Sequence, residues 1–226
     1  MVPLRVVVHD QSSGSAAPVV VLLHGFMGSA GDLAPFARSL ALNARFMFPE
    51  GPVDLAPQGR RGRAWWADDV DTSRRDSPGP RDLSEFEPRG LAQARSALDN
   101  LLESVGTEAA ASPIFLGGFS QGAMLSCDLA LRSTRPIAGL VLFSGARICH
   151  AQWRPLYSRR CSLRVFISHG RYDDDLSFDV AEAFQAELAV AGWEVTWLPF
   201  DGGHEVPLVV WRAFKRWLTR ASEDAR

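Results

Sequence analysis

The chain has 226 residues and a formal net charge of -2 with both signs interspersed, and no Lys/Arg tract marks a nucleic-acid partner. Its 46% apolar share is that of a globular protein able to bury a sizeable core. No segment reaches the length of a membrane span, no long apolar stretch marks a signal peptide, and three cysteines without C-x-x-C spacing suit reduced thiols, so the expectation is a single cytoplasmic domain over 1–226.

Short apolar runs rich in Val, Leu, Ile and Phe recur along the chain. LRVVV (4–8), VVVLLH (19–24) and RFMFP (45–49) read as the first three strands. They are continuous and not alternating, which suits strands covered on both faces. Between the second and third lies the loop GFMGSAGD (25–32), with a helix expected after it. Residues 50–88 then break the rhythm, with many Gly, Pro and charged residues and little periodicity. A long unpatterned connection following a strand reads as a functional loop near the site.

Regular patterning resumes at 88–105, where Leu91, Ala94, Leu98, Leu101, Leu102 and Val105 form one helical stripe. PIFLGGF (113–119) is a strand and QGAMLSCDLALRS (121–133) a helix, with Ser120 at their junction. Further strands are expected at 137–143, 163–169 and 194–200. Helices are expected at 178–191, with Val180, Phe184 and Leu188 inward, and at the C-terminus, with Val210, Phe214, Trp217 and Leu218 inward. This alternation predicts an α/β fold with a mostly parallel sheet and helices on both faces.

Gly118-x-Ser120-x-Gly122 is a weak pattern alone, but its strand–turn–helix setting is what a nucleophile elbow requires. Small residues at 118 and 122 allow strand and helix to approach around a tight turn, and the helix N-terminus favours developing negative charge near Ser120. A serine hydroxyl needs a base. His9 reads as solvated, His24 as structural, His150 as lying in an irregular stretch without a partner, and His169 as making a structural hydrogen bond at a His-Gly turn. His204 lies in the Gly-rich loop between the last strand and the last helix, on the sheet edge where the serine turn emerges. It is the expected base. The acid that orients it comes from Asp173, Asp174 and Asp175, after the strand ending at His169. Position favours Asp173. Three adjacent acids cannot all face one ion, so neither a metal nor another cofactor is expected. One oxyanion donor is the Gln121 N–H; the other comes from the 25–28 loop, with Phe26 preferred and Met27 second.

These pieces resemble the phospholipase/carboxylesterase family of the α/β-hydrolase fold, which includes small bacterial carboxylesterases and acyl-protein thioesterases. The likeness rests on LLHGFMGS, FPEGP, RAWW, GGFSQGAM, LVLFSG, SHGRYD and GGHEVP, spread over nearly the whole chain. It implies a fold without a large cap domain and a serine esterase acting on short- to medium-chain carboxylic esters. Ser120 would be the nucleophile, Asp173 the acid, His204 the base, and Phe26 and Gln121 the oxyanion donors. Trp65 is the preferred substrate contact by its register with R-A-W, joined by Trp66 and Met27. The alternatives are an acyl-protein thioesterase or lysophospholipase and, in another class, a catalytically silent binding module. A homodimer is compatible with the resemblance, although no sequence patch marks an interface. Two features depart from the family pattern: Asp174 and Asp175 stand where a proline or aliphatic residue is usual, and H-G-F-M-G replaces H-G-L-G.

Overall fold

A computed structural model describes residues 3–13, 16–67, 79–108 and 112–225. Its main sheet has seven strands: β1 (Val6–Asp10), β2 (Val19–Leu23), β3 (Arg45–Pro49), β6 (Ile114–Phe119), β7 (Gly139–Phe143), β8 (Arg164–Gly170) and β9 (Glu194–Phe200). Their spatial order is β1-β3-β2-β6-β7-β8-β9. Only β1 runs antiparallel to its neighbour; every other pairing is parallel. Seven strands were expected, and their centres agree with the sequence within two or three residues.

Helices cover both faces. α2 (Leu91–Glu108), α3 (Gln121–Arg132) and α5 (Phe178–Val190) pack on one side, α1 (Ala34–Leu40) and α6 (Leu208–Asp224) on the other. Strand β2 shows why its sequence is apolar throughout. Val19, Val21 and Leu23 point into the first layer and Val20 and Leu22 into the second, all fully buried. Each such side chain contributes about 1.5–3 kcal/mol of burial, so a charge at Val21 would break the sheet centre.

Two regions differ from the sequence reading. The stretch around His150 is helical, not irregular: α4 (His150–Trp153) leads into a 3-10 segment, Arg154–Arg160. His150 Nε2 also has a neighbour, Glu187 Oε2 at 3.2 Å. The 50–88 loop carries a small antiparallel pair, β4 (Val53–Asp54) with β5 (Arg63–Ala64), and buries Leu55, Trp65, Trp66 and Leu83. Residues 68–78 of that loop lie outside the described residues. Because the strands are parallel, the loops after β2, β6, β8 and β9 emerge on one edge of the sheet, where open α/β sheets bind ligands.

Candidate active site

The loop between β6 and α3 is a single residue, Ser120, at φ 52° and ψ -117°. A non-glycine residue held there costs about 1–3 kcal/mol, strain that accumulates at functional positions. The turn is held by the Ser120 N–H donating to Phe143 O (2.9 Å) and the Met124 N–H donating to Ser120 O (3.1 Å). It fits only because two neighbours lack side chains. A Cβ on Gly118 would stand 2.4 Å from Leu23 O, and one on Gly122 would stand 2.5 Å from the same atom.

His204 arrives from the loop after β9 and stacks obliquely against Phe119, ring centroids 4.8 Å apart. Its Nε2 is 2.9 Å from Ser120 Oγ and its Nδ1 is 2.7 Å from Asp173 Oδ2. Asp173 Oδ1 accepts the N–H groups of Asp175 (2.9 Å) and Leu176 (2.8 Å). Burial pushes the Asp173 carboxyl up, but hydrogen bonds from His169 and His204, the charge of His204 and the Leu176 N–H outweigh it and hold the group well below the usual carboxylate range. An ionised Asp173 accepts the Nδ1 hydrogen and leaves Nε2 to accept the serine hydroxyl. The three adjacent carboxylates diverge. Asp173 turns inward, Asp174 is exposed, and Asp175 pairs with Arg81 at 2.7 Å.

His169 was expected only to make a structural bond, and its partner is the unforeseen part. Its Nε2 lies 3.1 Å from Asp173 Oδ2 and 3.2 Å from Leu176 O. Both are acceptors, so Nε2 carries the hydrogen, and Asp173 is gripped between two imidazoles. The i,i+4 spacing of His169 and Asp173 was the available signal.

The 24–28 loop stands beside this line. The Gly28 N–H donates to Gly25 O at 3.1 Å, closing a turn in which Met27 takes φ 62°. Segment 51–66 braces the turn from behind. The Gly51 N–H donates to His24 Nε2 (2.9 Å), His24 Nδ1 donates to Gly25 O (2.7 Å), and the Trp65 Nε1–H donates to His24 O (2.9 Å). Burial pulls the His24 imidazole below its ordinary value, partly offset by its bond to Gly25, which suits a neutral ring bonded at both nitrogens. The Arg63 N–H donates to Gly28 O at 2.9 Å. The Gln121 side chain ties this brace to the elbow: its Oε1 accepts the Trp65 N–H (2.8 Å) and its Nε2 donates to Trp66 O (3.0 Å). The backbone N–H of Gln121 is the first of α3, where a helix supplies no acceptor of its own.

A cavity of about 240 Å³ opens on Ser120, Gln121 and His204. Its apolar wall is Phe26, Met27, Trp66, Leu83, Phe86 and Met124, and Arg60, Arg81 and Asp175 add charge. Trp65 is absent from that wall, which corrects its choice as the substrate-facing tryptophan. It is 1% exposed and its ring packs on His24 with centroids 5.3 Å apart. Trp66 lines the cavity, whereas Trp65 is held on the brace by its contacts with His24. A second cavity, about 350 Å³, lies beyond Phe119 and His204 against Leu33, Phe36 and Val206. Among the described residues no group of three or more His, Cys, Asp or Glu is placed to hold a metal ion, and no helix is long and apolar enough to cross a membrane.

The model of the phospholipase/carboxylesterase family matches residues 5–219. The chain belongs to that family. Three solved structures show the same fold. An esterase called PE8 is 24% identical over 97% of this chain and 100% of its own, with a TM-score of 0.81. Acyl-protein thioesterase 2 of Zea mays is 21% identical over 96% and 99%, with a TM-score of 0.76. A carboxylesterase from Mesorhizobium loti is 17% identical over 92% and 90%, with a TM-score of 0.68. The architecture is the α/β-hydrolase fold, and among the described residues there is no large cap domain. The phospholipase/carboxylesterase membership makes the chain a hydrolase of the esterase and thioesterase type.

Within this family frame, the sequence departures have definite positions. Met27, from H-G-F-M-G, sits on the cavity rim, 47% exposed. Asp175 is in the cavity wall, 3.9 Å from His204 Nε2. Arg60, another residue of the cavity wall, lies over the Phe26 ring at 5.7 Å.

Proposed function

We propose that this chain is a serine carboxylesterase that cleaves short- to medium-chain esters through an acyl-enzyme on Ser120. The observation that carries the reading is the continuous line Ser120 Oγ–His204 Nε2 (2.9 Å) and His204 Nδ1–Asp173 Oδ2 (2.7 Å), opening on a largely apolar cavity. Ser120 Oγ attacks the acyl carbon while His204 Nε2 takes its proton. The N–H groups of Phe26 and Gln121 receive the oxyanion, and Asp173 stabilises the imidazolium. Nε2 then protonates the departing alcohol, and a water activated by the same nitrogen releases the acid. A cavity of about 240 Å³ is below the roughly 300–1,000 Å³ of drug-sized pockets, which favours short acyl chains over long ones. The Zea mays protein of similar fold is named a thioesterase, and the same steps serve a thiol leaving group. Cys127, Cys149 and Cys161 are free, the last of them exposed, which supports a reducing, cytoplasmic setting.

The test is turnover of p-nitrophenyl butyrate together with labelling by a fluorophosphonate. Wild type turns over and is labelled at Ser120, whereas Ser120→Ala folds normally and does neither. Wild-type turnover in Ser120→Ala would end the proposal. Absence of both turnover and labelling in the wild-type protein would favour a binding module.

A further inference from the structure

The cavity wall holds a feature that ester cleavage itself does not require: a salt bridge at the catalytic nitrogen. Arg81 Nη2 is 2.7 Å from Asp175 Oδ1, and both side chains are largely buried, 9% and 20% exposed. The backbone fixes the pair further. Asp175 O accepts from the Arg81 N–H (2.9 Å) and from Arg81 Nε (3.3 Å), and the Ser177 N–H donates to Arg81 O (3.0 Å). The Asp175 N–H is held in turn by Asp173 Oδ1 at 2.9 Å. Asp175 Oδ2 is thereby set 3.9 Å from His204 Nε2.

That position has a chemical consequence, which rests on the esterase reading above. The leaving oxygen must come within hydrogen-bond reach of Nε2 to be protonated. It therefore departs alongside the Asp175 carboxylate. A donor one carbon beyond the carbon that bears the leaving oxygen reaches Oδ2, and each carboxylate oxygen accepts more than one hydrogen bond. An alkyl group in the same place desolvates the carboxylate without compensation. We propose that Asp175, held by Arg81, is a specificity-determining residue that selects esters whose leaving alcohol carries a vicinal hydroxyl, the monoesters of diols and polyols. The apolar wall of the cavity, which includes Leu83, Phe86 and Met124, is left for the acyl chain.

The experiment compares 2-hydroxyethyl butanoate with n-propyl butanoate, which match in size and differ in the terminal hydroxyl. Wild type prefers the hydroxyethyl ester by about tenfold or more in kcat/KM. Asp175→Leu brings that ratio down towards the intrinsic reactivity ratio of the two esters, measured in parallel in alkaline buffer. Asp175→Leu also removes a counter-charge from the buried Arg81, so the double variant Arg81→Leu/Asp175→Leu repeats the measurement if the single variant does not fold. A pair that only clamps the loops changes both esters alike and keeps the wild-type ratio. A retained ratio in the variants, or no preference in wild type, overturns the inference while leaving the esterase reading intact. Failure of wild type to cleave either ester overturns both.

Discussion

Replacing Trp65 with Phe separates a brace from a substrate contact. The substitution keeps the backbone bond from Trp65 N–H to Gln121 Oε1 and most of the ring packing on His24. It removes the Nε1–H bond to His24 O, 2.9 Å long, at a site 1% exposed. Leaving that buried carbonyl short of a partner costs about 1–3 kcal/mol. The smaller ring leaves a void that adds about 1 kcal/mol. The sum, about 2–4 kcal/mol, corresponds to a fall in Tm of roughly 5–15 °C for a chain of this length. His24 leads directly into Gly25 and Phe26, so the proposed oxyanion donor also loosens. Complete loss of one donor costs about 10²–10³ in kcat, and a displaced one is expected to cost about tenfold. KM stays near wild type because Trp65 does not line the cavity. The assay is thermal unfolding together with kcat and KM for p-nitrophenyl acetate, butyrate and octanoate. The same loss in kcat for all three esters supports the brace. A loss that grows or shrinks with chain length, or an unchanged Tm, refutes it.

Asp173→Asn should lower kcat by about 10⁴, because an amide cannot hold His204 in the required tautomer, whereas Asp174→Asn, at an exposed position, should stay within about 0.5 kcal/mol in stability and match wild type in rate; equal effects of the two would contradict the assignment of Asp173. Gly122→Ala puts a Cβ 2.5 Å from Leu23 O and 2.6 Å from His24 O, a backbone clash that should cost about 1–3 kcal/mol and shift Ser120, so a wild-type melting curve with wild-type kcat would show that the close approach is not required. The buried His24 resists a proton that the unfolded chain takes up near pH 6.5. Above that pH both states carry a neutral ring and His24 makes no pH-dependent contribution, and stability is lost as pH falls from about 6.5 towards the depressed folded value. Denaturant melts at pH 7.5 and 5.5 should therefore show a larger acid loss for wild type than for His24→Gln; equal losses would rule out His24 as the source.

Much of the fold was legible because its signals are local. A buried parallel strand needs a continuous apolar run, and β2, β6, β7 and β8 each have one. Ser120, His204 and Asp173 were legible for a related reason: each stands just beyond a strand's C-terminal end, and a parallel sheet delivers those ends to one edge. Gly118 and Gly122 announced the tight turn, and the clash with Leu23 O explains why nothing larger fits.

Other features depended on where side chains point and on contacts between distant segments. Trp65 and Trp66 are adjacent and chemically identical, yet one braces the 24–28 loop and the other faces the cavity. The bonds of Trp65 to Gln121 and His24 distinguish the two, and periodicity near a two-residue strand does not reveal them. Arg81 and Asp175 are 94 positions apart, so no local pattern announces their pair. The sequence by itself determined the layer architecture and the order of the elements and placed Ser120, His204 and the acids at 173–175 beyond strand ends, because each follows from periodicity and from position along the chain. The tertiary structure alone decided which tryptophan faces the cavity, that His169 grips Asp173, and that a carboxylate stands beside His204 Nε2, because these depend on side-chain direction across segments that touch only when folded.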